Sequence, residues 1–169
     1  MHALTPERAE DGTAIEALLD HAFGANRQER TVYQLRLGAP LAALSLVARK
    51  RGRLAGSLRF WPVEIDRGAD AVLLGPLVVD PALQGQGIGK ALVANGLSAA
   101  AKIGYGLCLV SGDPAYYRPF GFVPADPLGL ALPGPVTAGH FQVKELSPGW
   151  LALARGKVRP AMGRSVVAA

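Results

Sequence analysis

The chain has 169 residues, of which 50% are hydrophobic and 18% are charged, and its formal net charge at pH 7 is +5. This length favours a single domain over residues 1–169 with one substantial core and leaves no room for a second catalytic domain. The apolar runs are too short for a membrane span of ~20 residues, the lone cysteine cannot form an internal disulfide, and the N-terminal residues form no signal core, so we expect a cytoplasmic protein.

Two helices are predicted in the N-terminal part of the chain. The first begins near Thr13, carries apolar residues at helical spacing and ends at Gly24. The second runs from Arg27 to Leu37, and its Val32 and Leu35 would cover one face of a sheet.

Three strands are predicted next. Residues Leu44–Ala48 and Arg53–Ile65 form a hairpin that turns through Lys50–Gly52. The third strand covers Leu73–Val79 and contains the dipeptide Gly75-Pro76. Because proline cannot donate to a sheet ladder, this dipeptide predicts a bulge or a break in strand pairing.

A glycine-dense turn joins the third strand to the next helix. Gly85, Gly87 and Gly89 have no Cβ atoms, so backbone N–H groups can converge on an anion at this turn. The first N–H groups of the following helix have no intrahelical partners, and the helix dipole adds to the attraction for an anion. The turn therefore predicts a phosphate-binding site.

Two well-known phosphate loops do not fit this turn. A Walker A loop requires a glycine where Gln84 stands and a Ser or Thr where Ala91 stands. A dinucleotide-binding fingerprint that begins at Gly85 requires its third glycine where Lys90 stands. The pattern that remains is Gln-x-x-Gly-x-Gly over residues 84–89.

The turn opens a predicted helix from Ile88 to Ile103, which Gly104 terminates. A strand over residues 106–110 follows, so the chain makes a β-α-β crossover of the usual right hand. After this strand, Asp113 is placed to cap a short helix that begins at Pro114. The hexapeptide Tyr117-Arg-Pro-Phe-Gly-Phe122 then gives the pattern Tyr-x-x-x-Gly-Phe.

These two motifs, in this order, resemble those of the GNAT N-acetyltransferase superfamily. Residues 84–89 are similar to its acyl-CoA pyrophosphate loop, and residues 117–122 resemble its Tyr-x-x-x-Gly-Phe signature. The resemblance covers residues 43–123 and extends loosely to 146. It implies an α/β fold with a twisted mixed sheet flanked by helices, acetyl-CoA as cosubstrate and no metal. The implied reaction is direct transfer of an acetyl group from the CoA thioester to a primary amine.

The resemblance also implies a cofactor site. The strand before the glycine turn is expected to splay from its parallel neighbour, so that the pantetheine arm of CoA enters the gap beside Leu77, Val78 and Val79. The backbone N–H of Val79 is the expected oxyanion donor. The diphosphate is expected at seven consecutive residues, where the two glutamines act mainly through their backbone N–H groups and the lysine is a secondary contact: Gln84, Gly85, Gln86, Gly87, Ile88, Gly89 and Lys90.

Proton transfer needs an acid and a base. Tyr117 is the acid that the resemblance implies, since an unperturbed tyrosine with a pKa near ~10 stays protonated at neutral pH. A free alkylamine is mostly protonated at pH 7, so a group must accept its proton. Glu64 on the strand before the cofactor strand and Glu29 near the second helix are the candidates. A water-relayed base or an already neutral amine is the alternative, because residues 72–79 contain no acid.

The acceptor and the partners stay open at this stage. A small amine, a protein N-terminus or lysine, and a charged tRNA are all compatible with the motifs, and the resemblance makes a homodimer plausible. The rival function is a non-catalytic acyl-CoA-binding regulatory module, which would keep the glycine turn and need no acid. The positive net charge suits CoA as well as nucleic acid, but the basic residues form no long run.

Overall fold

The computed structural model describes residues 2–67 and 70–161. In these residues nine strands form one mixed sheet in the order β1-β2-β3-β4-β5-β8-β6, with β9 paired to β3 and β7 paired to β9. The strands are β1 (Ala3–Pro6), β2 (Leu46–Lys50), β3 (Arg53–Arg67), β4 (Ala71–Val79), β5 (Leu107–Ser111), β6 (Val123–Pro124), β7 (Leu130–Ala131), β8 (Phe141–Glu145) and β9 (Arg155–Pro160). The helices are α1 (Gly12–Phe23), α2 (Ile88–Ile103), α3 (Pro114–Tyr117) and α4 (Trp150–Leu153).

Helix α2 packs on one face of the sheet with the bounds that the sequence predicts. It begins after Gly87 and ends at Gly104, and both glycines have positive φ angles of 81° and 112°. A Cβ on Gly96 would lie 2.6 Å from the ring of Phe60, so glycine permits this close approach of helix and sheet. The buried face of α2 consists of Ile88, Leu92, Val93, Gly96, Leu97 and Ala100.

The opposite face is covered by α1 and by two 3-10 segments. The predicted first helix is confirmed as α1, which ends at Gly24. The predicted helix from Arg27 to Leu37 is wrong, because the chain forms 3-10 turns at Arg27–Glu29 and Thr31–Leu35 with extended Arg30 between them. The side chain of Arg27 instead forms ion pairs with Glu16 and Asp20 of α1. The buried side chains of Val32 and Leu35, in the second 3-10 turn, still pack on the sheet.

Strand β4 contains the predicted bulge. Leu58 on β3 faces Leu77, whereas Phe60, two residues later, faces Leu74, so Gly75 and Pro76 add one extra residue to β4. The Gly75–Pro76 peptide is cis. The extra residue places the side chains of Leu74 and Leu77 on the same face of the sheet, towards α2.

The bulge coincides with the point at which β4 leaves its parallel neighbour. In the described part of the chain, β4 pairs with β5 at Ala71, Val72 and Leu73 and at no later residue. The two strands therefore diverge from Leu74 onwards, as the resemblance implied.

The C-terminal part of the chain contributes strands that the sequence analysis does not predict. The stretch from Pro124 to Gly139 contains short β7 rather than loop alone, and β9 extends the sheet beside the second half of β3. No helix in residues 2–67 and 70–161 has the length and apolar character that crossing a membrane requires.

Candidate active site

The glycine turn leads from the end of β4 into the N-terminus of α2. Gly85 and Gly87 both have φ angles of 81°, and a Cβ at either position would meet no atom within 4 Å. Among the described residues, no side chain caps the first N–H groups of α2, so these donors remain available to an anion. A cavity of about 420 Å³ lies over the turn. It is lined by Leu77, Val79, Leu83, Gln84, Gly85, Gly87, Ile88, Gly89, Lys90 and Tyr116.

The open edge of β4 presents backbone groups beside this cavity. The N–H of Asp80 donates to the carbonyl of Ala55 on β3 at 2.8 Å. Opposed residues of an antiparallel pair alternate between bonded and non-bonded pairs, so Val78 also bonds to β3 while the backbones of Leu77 and Val79 face the gap. The side chain of Val78 packs beneath α1 with Ile15 and Leu19, away from both cavities.

A larger cavity of about 910 Å³ occupies the space where β4 and β5 diverge. Its walls come from the β4 bulge, the end of β5, the 3-10 segments after α1 and the loop before β8. Leu77 and Tyr116 line this cavity as well as the smaller one, so the two cavities adjoin. The site can therefore hold a phosphate-bearing ligand at one end and a second molecule at the other.

Tyr117 lies in the wall of the larger cavity. Asp113 caps the preceding turn as predicted, since its Oδ1 accepts a hydrogen bond from the N–H of Ala115 at 2.9 Å. A Cβ on Gly112 would lie 2.5 Å from the Tyr117 ring, so this glycine makes room for the side chain. The ring contacts those of Tyr116 and Phe122, with centroids 5.0 and 5.6 Å apart.

The protonation of Tyr117 follows from its surroundings. Its side chain is 8% exposed, and burial raises the pKa of its phenol well above the ordinary value, with the nearby Tyr116 and Cys108 adding to the rise. The positive charge of Arg36 lowers this pKa by a smaller amount. Tyr117 is therefore a protonated hydroxyl at neutral pH, as an acid must be.

The two acidic candidates are placed differently. Glu29 is exposed at the rim and lines the larger cavity. Glu64 lies on β3 opposite Arg159, beyond Pro62, which faces Val72 near the start of β4. The glycine turn follows the other end of β4, and Glu64 is not among the residues that line the larger cavity. The structure thus brings Glu29 and Tyr117 to one cavity and leaves Glu64 apart.

The thiol of Cys108 has no place in this chemistry. Cys108 is fully buried in β5, and burial raises the pKa of its thiol, which suppresses the reactive thiolate. Within the described ranges, no group of three or more His, Cys, Asp or Glu side chains is arranged to hold a metal ion.

The basic side chains of the larger cavity were not predicted from the sequence. Arg27 is 5% exposed and binds Asp20 at 2.9 Å, Glu16, and the Tyr33 hydroxyl at 2.8 Å. Arg36 lies over the Tyr33 ring, 4.4 Å from its centroid. The signal available in the sequence was the density of arginines between residues 27 and 36, which α1 and the β4 bulge bring together only in the fold.

Lys50 was missed as well. The sequence predicts Lys50 only as part of a hairpin turn, but its Nζ donates to Oε1 of Gln86 in the glycine turn at 2.6 Å. This contact places a positive charge of the β2–β3 hairpin next to the predicted diphosphate site.

Comparison with known proteins supports the same interpretation. A family model described as an acetyltransferase (GNAT) domain matches residues 42–124. The chain is 34% identical over 139 residues to the uncharacterized N-acetyltransferase YhbS of Escherichia coli strain K12. This match covers 81% of this chain and 83% of the relative. The chain is 31% identical over 135 residues to the uncharacterized N-acetyltransferase YjhQ of the same strain, covering 77% and 75% of the two chains.

Two solved structures resemble the fold closely. The crystal structure of E. coli YhbS in complex with CoA has a TM-score of 0.81 and 34% identity, over 94% of this chain and 89% of that one. A GNAT family acetyltransferase from Brucella melitensis in complex with acetyl-CoA has a TM-score of 0.70 and 32% identity, over 94% and 95%. The resemblance inferred from the two motifs is confirmed, and the chain belongs to the GNAT acetyltransferase family as an acyltransferase enzyme.

Proposed function

We propose that this protein is an acetyl-CoA-dependent N-acetyltransferase that transfers the acetyl group directly to a primary amine, with Tyr117 as general acid. The observation that carries the proposal is the meeting of three features at two adjoining cavities: the glycine turn, the open edge of β4 and the protonated hydroxyl of Tyr117. The relatives crystallised with CoA and acetyl-CoA, at 34% and 32% identity, support the choice of cosubstrate.

The residues at the smaller cavity fit this cosubstrate. The uncapped N-terminus of α2 and the positive φ angles of Gly85 and Gly87 provide converging N–H donors for a diphosphate. Lys50 and Lys90 add positive charge at the two sides of the turn. When bound, acetyl-CoA supplies an acetyl group on a thioester, which a neutral amine can attack.

The open edge of β4 supplies the oxyanion donor. We expected Val79 in this role, but Val79 lines the smaller cavity alone, whereas Leu77 lines both cavities and its N–H faces the gap. We therefore propose that the N–H of Leu77 donates a hydrogen bond to the acyl oxygen as negative charge develops on it. Val79 then contacts the pantetheine arm. One such donor typically contributes ~3 kcal/mol to lowering the barrier.

Two side chains handle protons. The hydroxyl of Tyr117 keeps its proton at neutral pH and donates it to the departing sulfur. Of the two carboxylates named from the sequence, Glu29 lines the larger cavity, and we assign it to accept the proton of the amine, directly or through water. Glu64 has no part in the proposal because of its distance along β3 from the cavity.

The proposal is tested by incubating the protein with acetyl-CoA and a library of primary amines, and by identifying acetylated products by mass spectrometry. The expected result is enzyme-dependent gain of one acetyl group on at least one class of amine. If the protein binds CoA but acetylates no amine in the library, the non-catalytic binding module becomes the better interpretation.

A further inference from the structure

Arg36 stands out among the basic residues of the larger cavity. Its guanidinium lies against the β4 bulge, where a Cβ on Gly75 would be 2.7 Å from Nη2. Its Cζ lies over the Tyr33 ring, 4.4 Å from the ring centroid. The side chain is thus held in a defined plane in the wall of the larger cavity.

Two arginines near Arg36 have carboxylate partners. Arg27 pairs with Glu16 and Asp20, and Arg59 pairs with Glu7 at 2.8 Å and with Glu16 at 3.0 Å. Among the residues that the structure describes, no carboxylate forms an ion pair with Arg36. Glu7, Glu16 and Asp20 are thus already paired with other arginines.

The guanidinium of Arg36 also has an unused donor. Its Nε is buried and has no hydrogen-bond partner among the described residues. Burial lowers the pKa of Arg36 to about 10, partly offset by the Tyr33 hydroxyl, so the group remains charged at neutral pH. A charged group with a buried, unpaired donor costs free energy unless a ligand provides the acceptor.

We propose that the amine acceptor of this protein carries a carboxylate, and that Arg36 binds this carboxylate at the wall of the larger cavity. The planar fork of a guanidinium matches the two oxygens of a carboxylate. The inference rests on the proposed function and names the class of its acceptor: a small molecule with a primary amine and a carboxylate.

The charge balance of the cavity favours a carboxylate over a phosphate. Three arginines (Arg27, Arg30 and Arg36) and two carboxylates (Glu29 and Asp113) line the cavity, so its lining carries one positive charge in excess. A singly charged carboxylate neutralises it, whereas a phosphate dianion would leave excess negative charge in the cavity that Glu29 lines. The same cavity then offers a carboxylate to the amine end of the acceptor and a guanidinium to its acid end.

The test measures binding of product analogues, which needs no turnover. Protein saturated with CoA is titrated calorimetrically with N-acetylglycine, N-acetyl-β-alanine and N-acetyl-γ-aminobutyrate, and with the carboxamide and phosphonate counterparts of each. We expect at least one acid to bind at least about tenfold more tightly than its carboxamide, as a charge-assisted pair requires. If no acid binds more tightly than its carboxamide, or if a phosphonate binds best, the proposal is overturned.

Variants test whether Arg36 is the residue that makes acids bind more tightly than carboxamides. Arg36→Gln should remove the difference between acid and carboxamide, while Arg67→Gln, which removes an exposed charge at the far end of β3, should keep it. CoA affinity and thermal melting show whether Arg36→Gln is folded, and Arg36→Lys, which keeps the charge without the fork, should retain part of the preference. A preference that survives intact in folded Arg36→Gln contradicts the proposal.

The experiments distinguish a failure of the Arg36 inference from a failure of the proposed function. If Arg36 only tuned Tyr117, Arg36→Gln would shift the pH profile of kcat and leave the ratio of acid to carboxamide affinity unchanged. If amines are acetylated and acids and carboxamides bind alike, the proposed function stands and this inference is wrong. If the acids bind preferentially and no amine is acetylated, Arg36 binds a carboxylate, but the proposed function is wrong and the ligand is not an amine acceptor.

Discussion

The cofactor side and the acceptor side of the site are built from different parts of the chain. The glycine turn and the β4 edge present backbone groups from one continuous segment, residues 77–90. The acceptor side presents side chains, among them Arg27, Tyr33 and Arg36, whose positions depend on α1 and on the β4 bulge. A site made of backbone groups can be recognised from a local sequence motif. A site made of side chains forms only after segments distant in sequence have packed together.

The largest expected effect is a loss of kcat on replacing Tyr117, the proposed acid, which lies where the cofactor side and the acceptor side meet. Tyr117→Phe should lower kcat roughly 100-fold, because the departing thiolate loses its proton donor, and should leave the affinity for CoA unchanged. Steady-state kinetics and calorimetric titration with CoA measure the two quantities. Tyr116→Phe is the matched control, since Tyr116 is the adjacent tyrosine and lines both cavities.

The pH profile sharpens this assignment. Tyr117 must be protonated to act, and burial raises its pKa, so kcat should not fall with rising pH until above the ordinary tyrosine pKa of about 10. An equal loss in both tyrosine variants, or an alkaline fall in kcat near neutrality that Tyr117→Phe abolishes, would contradict the assignment.

The next effect tests the backbone side. Gly87→Val forces a β-branched residue to adopt a φ of 81°, which strains the turn and moves its N–H groups, so we expect the affinity for CoA to fall by at least about tenfold. Calorimetric titration measures the change. Gly12→Ala is the control, because Gly12 has ordinary helical angles and an open Cβ position. Unchanged affinity in Gly87→Val would show that the turn does not hold the diphosphate.

A smaller effect distinguishes the acceptor side. Arg27→Met removes the ion pairs to Glu16 and Asp20 and the hydrogen bond to Tyr33. We expect the free energy of unfolding to fall by about 1–3 kcal/mol and the KM for the amine to rise several-fold, while CoA affinity is kept. Urea denaturation and kinetics measure these quantities, and a loss of CoA affinity equal to the change in KM would show that the two sides are not separate.

The same contrast explains what the sequence could predict. The bounds of α2, the bulge at Gly75-Pro76 and the cap at Asp113 follow from glycine, proline and aspartate chemistry within a few residues, and all are confirmed. The helix expected from Arg27 to Leu37 is wrong because Arg27 binds α1 instead. The spacing of apolar residues within one segment gives no information about an ion-pair partner on another helix.

The outer strands were missed for a related reason. β1 and β9 are short, and pairing with β2 and β3 rather than any strong periodicity of their own determines them. For the same reason the density of arginines between residues 27 and 36 did not single out Arg36, since its role depends on a bulge that lies some forty residues later in the chain.

The smallest expected effect concerns Lys50. Lys50→Met removes one partly exposed charge beside Gln86, so CoA affinity should fall about two- to fivefold at low salt and less at high salt. Titrations at two salt concentrations measure the change. A salt-independent loss would mean that Lys50 acts by shaping the turn rather than by its charge.

The most direct test of the backbone site is amide hydrogen exchange with and without CoA. We predict slower exchange at the N-terminus of α2, in residues 87–91, and at Leu77 and Val79, with little change in the 3-10 segment Thr31–Leu35 of the acceptor side. Exchange that stays unchanged at the turn under saturating CoA, or protection confined to the acceptor side, would contradict the claim that main-chain amides of this turn hold the cosubstrate.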